Sequence, residues 1–147
     1  MWLLTFGYLG LFAGTFLAAT LLPLPSEALL LGAFELDLNV IMCLTIATVG
    51  NFLGGITNYI IGYKCNNKRL IEKLKIDEEK LAKQKNLLDK WGYWLGFISW
   101  VPFVGDPLIV VLGFYKVRLI PLLITMFVGK FLRYLVVALM YLNWFVF

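Results

Sequence analysis

The chain contains no histidine and only two cysteines. The first absence removes imidazole metal sites, phosphohistidine chemistry and serine–histidine catalysis together. Cys43 and Cys65 lie 22 positions apart on one predicted helix. That separates them by about 33 Å at 1.5 Å per residue, too far for a disulfide, and both read as small apolar packing residues. Charge is scarce: 15% of residues carry it, against about 25% in a soluble domain. Residues 1–63 hold no Lys or Arg at all. There is no nucleotide-binding loop, so this chain alone does not drive a pump with ATP. No acid-rich metal motif or nucleophile–base pair is visible either, so no catalytic residue, metal or cofactor is expected and an enzyme is the least favoured reading.

What remains is hydrocarbon-like. The chain is 61% hydrophobic, with mean hydropathy +0.85. It reads as one all-α integral membrane domain over residues 1–147. Residues 2–22 lack a basic leader and a small-residue cleavage site, so they are expected to stay in the protein. The net charge of +4 is concentrated in residues 64–90, which carry nine basic and five acidic side chains. A juxtamembrane loop of that kind is expected on the cytoplasmic side, and its mixed sign argues against nucleic acid. Asp77 is placed to cap a helix, with Ile76 and Leu81 as a hydrophobic staple. The loop reads as two short amphipathic helices on the membrane surface, or equally as a solvated linker.

Four ionisable residues lie inside apolar stretches: Glu27, Asp106, Lys130 and Arg133. A charge in hydrocarbon must be paired, hydrated or used. The two acids occupy equivalent places in an internal repeat. Glu27 follows Pro23 by four residues and Asp106 follows Pro102 by four, a shift of 79 in both cases. The same shift lays Val49-Gly50-Asn51-Phe52-Leu53 on Val128-Gly129-Lys130-Phe131-Leu132.

The repeat predicts two hairpin-plus-helix units, 1–63 and 91–147, joined by the connector 64–90. Pro23 and Pro25 break the first apolar run, and Ser26 is placed to cap the helix that follows. Residues 39–62 form a spanning candidate. In the second unit Pro102 and Pro107 interrupt 91–115, leaving arms of about 16 Å and 12 Å as α-helix, each near half of a roughly 30 Å core. If that segment crossed the membrane, Lys116 and Arg118 would face outside, against the charge bias. A re-entrant hairpin satisfies both observations. Residues 119–142 are the last spanning candidate. By the repeat, the first unit is a hairpin of opposite topology, although 2–22 is also long enough to span outright. An inverted repeat with broken backbone near the midplane is where transporters hold their substrates.

Leu22-Pro23-Leu24-Pro25-Ser26-Glu27, Gly50-Asn51-Phe52-Leu53-Gly54-Gly55, Ser99-Trp100-Val101-Pro102-Phe103-Val104-Gly105-Asp106 and Gly129-Lys130-Phe131-Leu132-Arg133-Tyr134 together resemble the YqaA branch of the DedA (SNARE-associated, VTT-domain) membrane protein family. Lys90-Trp91-Gly92 resembles the family's lead-in to the second hairpin. The resemblance implies paired re-entrant hairpins, a bacterial cytoplasmic (inner) membrane and movement of a phosphate-bearing lipid, undecaprenyl phosphate or phospholipid, with proton coupling. Typical members carry arginines flanking the second-hairpin proline; Ser99 and Gly105 stand there instead. Lys130 and Arg133 are the nearest substitutes.

Those residues carry a chemistry of their own. Desolvation makes a carboxyl hold its proton to higher pH, so Glu27 and Asp106 are candidates for proton coupling. An ammonium and a guanidinium bind phosphate, so Lys130 and Arg133 are candidates for the headgroup. Protonating the acids would free the bases. Asn51, Ser26 and Gly105 are candidates for the cavity lining. The alternative is a fixed ion-pair network pinning the hairpin tips, in a non-transporting scaffold that supports the envelope. Thr57 and Asn58 read as interhelical hydrogen-bonding residues. Gly10 and Gly14, Gly50 and Gly54, and Gly92 and Gly96 are spaced to allow helices to approach, and a homodimer would shield the broken segments. Trp2, Trp91, Trp94, Tyr141 and Trp144 fit interfacial belts.

Overall fold

A computed structural model describes residues 2–20, 25–73, 77–101 and 105–145. Among them the chain is all-helical. Helices α1 (Trp2–Thr20), α2 (Ser26–Glu35) and α3 (Val40–Cys65) form the first unit. Helices α4 (Lys68–Lys73) and α5 (Glu78–Trp91) make the connector. A 3-10 arm (Gly92–Trp100), α6 (Gly105–Phe114) and α7 (Leu119–Phe145) form the second unit. Helix α3 and residues Leu119–Trp144 of α7 are each 26 residues long and apolar enough to cross a membrane.

The 79-residue shift carries both ends of α2 onto both ends of α6, and the start of α3 onto the start of α7. It also relates the two helix ends that precede the long helices. Asp37 and Lys116 are left-handed, with φ of 57° and 53°. In each case the left-handed residue donates to the carbonyl three back, Phe34 or Gly113, and the next residue to the carbonyl five back, Ala33 or Leu112. This is a Schellman closure, which satisfies the orphan carbonyls of a helix end. The residue after each bend, Leu38 or Val117, is buried and so pins the turn to the core.

The core forms around the two short helices. Leu30 and Phe34 of α2 pack with Leu11, Ala47 and Tyr134, and Ile109 and Leu112 of α6 pack with Tyr59, Leu122 and Met126. Asn58 on α3 donates to the Ala19 carbonyl of α1 at 2.5 Å, the interhelical role expected of it, whereas the Thr57 hydroxyl bonds back within α3 to the Leu53 carbonyl at 3.1 Å. In the connector, Asp77 caps α5 by accepting from the Glu79 amide at 3.0 Å. The proposed staple of Ile76 and Leu81 lies outside the described side chains.

Two local expectations change. Ser26 is not a cap: α2 begins at Ser26 itself, behind Pro25, without a side-chain cap bond. Its hydroxyl is taken by Arg133 at 3.2 Å instead. The first arm of the second unit is a nine-residue 3-10 helix, not an α-helix. At roughly 2.0 Å per residue it reaches about 18 Å. Side chains three apart align in such a helix, and Trp94 stacks on Phe97 with centroids 5.8 Å apart. Thr125 of α7 also donates to the Tyr93 carbonyl at 2.6 Å, anchoring the arm to α7. Pro23 and Pro102 lie outside the described residues. Pro25 precedes α2, and Pro107 sits in the first turn of α6, where its missing N–H is harmless.

Candidate functional site

Both acids sit in the first turn of a short helix, Glu27 on α2 and Asp106 on α6. Unpaired amides and the helix dipole favour a negative charge there. Both bases lie on α7, one turn apart. The four residues meet as two separate pairs along that helix rather than as one cluster.

The first pair is closed. The Lys130 ammonium is fully buried and donates to Asp106 Oδ1 at 2.8 Å and to Asn51 Oδ1 at 2.5 Å. The Asn51 amide then donates to the Thr15 carbonyl at 3.2 Å, so α1, α3, α6 and α7 are tied through one network. Asn51 and Lys130 are repeat equivalents, and they touch each other. Gly105 completes this corner. A Cβ there would fall 2.5 Å from the Ser99 carbonyl oxygen, so only glycine lets α6 start directly against the end of the 3-10 arm. The Gly105 amide donates to the Val101 carbonyl at 3.0 Å.

The second pair joins the two units. The Arg133 guanidinium pairs with Glu27 of α2 and donates to Ser26 Oγ. This pair is open. Glu27 and Arg133 border a cavity of about 420 Å³ walled by Phe97, Trp100, Gly129, Leu132, Val136 and Val137. A second cavity of about 390 Å³ lies on the other side of Glu27, against Leu31, Val137, Met140, Tyr141 and Trp144. Asn51, Ser26 and Gly105 are buried and are not among the residues that line the first cavity. Arg133 Nε is buried without a hydrogen-bond partner among the described residues. A guanidinium has five donors in a planar fork, and Nε is one that the Glu27 and Ser26 contacts leave unused.

Reading the sequence missed the aromatic wall, Phe97 and Trp100, and the buried Tyr134. Tyr134 follows Arg133 directly within the quoted Gly-Lys-Phe-Leu-Arg-Tyr stretch. Its place in that stretch was the available signal. Thr15 contributes only a backbone carbonyl, and nothing in its side chain announces that.

Large apolar side chains cover the outside, including Ile41 at 74% exposed and its repeat equivalent Ile120 at 67%. A soluble monomer rarely presents such surfaces. Together with the long apolar helices and the buried charges, they define a small all-helical membrane protein. The VTT domain family matches residues 22–142. The chain belongs to this family, also called DedA, as the resemblance in its motifs implied. It is 36% identical over 130 residues to the inner membrane protein YqaA of Escherichia coli, covering 87% of this chain and 86% of that one. An uncharacterized protein of Haemophilus influenzae is 31% identical over 142 residues, covering 90% and 85%. One from Methanocaldococcus jannaschii is 27% identical over 131 residues, covering 88% and 80%. No solved structure matches the chain.

Proposed function

We propose that this protein is a DedA-type transporter, not an enzyme, that moves a phosphate-bearing lipid across a bacterial inner membrane. The observation that carries the reading is the Glu27–Arg133 pair beside an apolar cavity. A guanidinium offers a phosphate two parallel donors, while the wall of Phe97, Trp100, Leu132 and Val136 suits a hydrocarbon chain. Undecaprenyl phosphate and a phospholipid both fit that chemistry. A phosphate arriving at Arg133 must displace Glu27. Protonating Glu27 removes the competitor, which couples proton and headgroup. Lys130 is a second phosphate ligand, reachable once Asp106 is protonated and releases it.

The two units act as an inverted repeat with re-entrant hairpins. Matching bounds of α2 and α6 and the paired left-handed turns support this. The connector 64–90 lies on the cytoplasmic face, as its nine basic residues favour. A homodimer would screen the open side of the crevice from lipid.

Proteoliposomes test the reading. Headgroup exposure of a labelled phosphate lipid is measured at two pH values for the native chain, Arg133→Ala and Glu27→Gln. Arg133→Ala is expected to lose roughly tenfold or more of the rate, for one charge-assisted contact worth about 1.5–3 kcal/mol. Glu27→Gln is expected to keep transport and lose the part of its pH dependence that Glu27 supplies, leaving the part due to Asp106. Lipid movement unaffected by both substitutions would leave a scaffold role standing instead.

A further inference from the structure

The 3-10 arm carries an aromatic file that its helix type produces. Trp94, Phe97 and Trp100 are spaced by three. In an α-helix each such step would turn the side chain by about 60°. With three residues per turn the side chains align. Trp94 stacks on Phe97, and Phe97 and Trp100 wall the cavity beside Arg133. The other edges of the arm bury Gly92, Gly96 and Ser99. A Cβ on Gly96 would lie 2.1 Å from Thr125 Oγ1. The arm is therefore fixed against α7, with Trp94 and Trp100 left 51% and 54% exposed. An interfacial belt accounts for Trp94 but not for Trp100. Trp100 ends the arm about 18 Å from the connector, against a core half-thickness of roughly 15 Å.

Charge gathers at the connector end. The nine residues of the arm carry none. Lys90 lies just before them, its ammonium over the Trp91 ring at 5.7 Å. Gly92 abuts the bend that holds Lys116 and Arg118, since a Cβ on it would fall 3.1 Å from Val117 Cγ2. Lys116 lies over the Tyr63 ring at 4.9 Å, and Arg118 is exposed. Asp89 is the one acid between residues 80 and 105.

We propose that the arm binds one resident glycerophospholipid of net negative headgroup, distinct from the lipid that is moved. The phosphate sits at Lys90 and Arg118. One acyl chain lies over Trp94 and Phe97, and its end enters the cavity beside Trp100. This is the ordinary orientation of a leaflet lipid, with headgroup at the aqueous connector and chain inward. Cations at the membrane surface select an anionic headgroup, and ring faces in file give a chain continuous apolar area. A path that joins cations to an apolar cavity suits an amphiphile. An apolar helix of another protein would meet the charges and leave the cavity unfilled.

Tryptophan emission tests the site. The full chain is placed in phosphatidylcholine vesicles doped with a minor share of phosphatidylglycerol brominated near its chain ends, because bromine quenches an indole only in close contact. The control is the same share of phosphatidylcholine brominated at the same carbons. The phosphatidylglycerol is expected to quench with an apparent affinity about fivefold higher, as one surface cation supplies. The excess is expected to vanish in the Lys90→Gln, Arg118→Gln double variant, where both changes are at exposed positions. Trp100→Phe is expected to remove most of the quenched emission. Equal quenching by the two lipids would reduce the arm to an ordinary lipid-facing surface and overturn the site. So would an excess that survives in the double variant or in Trp100→Phe. Stronger quenching of Trp100 by bromine next to the headgroup than by bromine at the chain end would put the headgroup at Arg133. That result overturns the resident lipid and leaves the proposed transport site standing.

Discussion

Helix α3 packs against its repeat equivalent α7, and two further seams join the units, one between α3 and α6 and one between α2 and α7. The 79-residue shift relates them, yet they pack differently. In the first, Gly62 and Gly113 let two backbones meet: a Cβ on Gly62 would lie 1.9 Å from the Val110 carbonyl oxygen, and one on Gly113 2.2 Å from that of Tyr59. The equivalent residues in the second seam are Tyr141 and Phe34. Their rings pack with centroids 4.9 Å apart. Glycine zips one seam and aromatics wedge the other. The closed seam adjoins the buried Lys130 network, and the wedged one adjoins the cavities at Glu27 and Arg133. The repeat builds the frame, and the crevice appears where the repeat's small residues are replaced.

The contrast breaks most severely at the charges. Lys130→Ala removes a fully buried ammonium and leaves buried Asn51 and the 19% exposed Asp106 without their common partner, which is expected to destabilise the fold by about 3–5 kcal/mol. Arg133→Ala is expected to be milder, about 1–2 kcal/mol, because Glu27 is 26% exposed and water can reach it. Thermal unfolding of the purified variants in one detergent checks the ranking. Equal losses would remove the distinction between a structural pair and a working pair.

Gly62→Leu comes next. The obstructing atom belongs to the α6 backbone, so no side-chain rotation relieves the clash, and a loss of about 1–3 kcal/mol is expected. Yield of monodisperse protein and unfolding temperature report it. Tyr141→Gly, at the equivalent position, empties a half-buried site and introduces no clash. A smaller effect of Gly62→Leu than of Tyr141→Gly would mean that the α3–α6 seam is not tightly closed.

Much of this was written in the chain. Proline, the two acids and the Gly-Asn and Gly-Lys segments recur at one interval, and the helix bounds follow that interval because local breaking and capping chemistry is repeated with them. Four charges in apolar stretches had to find partners, and they did. Which base takes which acid was not legible. It depends on cross-unit packing: Arg133 reaches the other unit's acid, while Lys130 stays with its own. The 3-10 arm was hidden as well, because its aromatic run is as apolar as an α-helix and the anchoring Thr125 bond is tertiary. Tyr141 near a helix end reads as an interfacial belt residue, and only the fold reveals that Phe34 packs against it, with the rings tilted by 41°.

The smallest expected effect is the most direct test of the wedge. Phe34→Leu and Tyr141→Leu each keep apolar bulk and remove one ring. An aromatic pair contributes about 0.5–1.5 kcal/mol beyond its buried area, so the double-mutant cycle is expected to give a coupling energy in that range. The variants should remain folded, because Phe34 keeps its aliphatic neighbours Leu30, Ala33 and Leu38. If the rings hold α2 away from α7, their joint loss lets the helices close and narrows the cavity at Glu27. Lipid movement should then fall while stability barely changes. Coupling near zero with native transport would mean that the ring contact is incidental and that the crevice width is set elsewhere, for example by the 3-10 arm against α7.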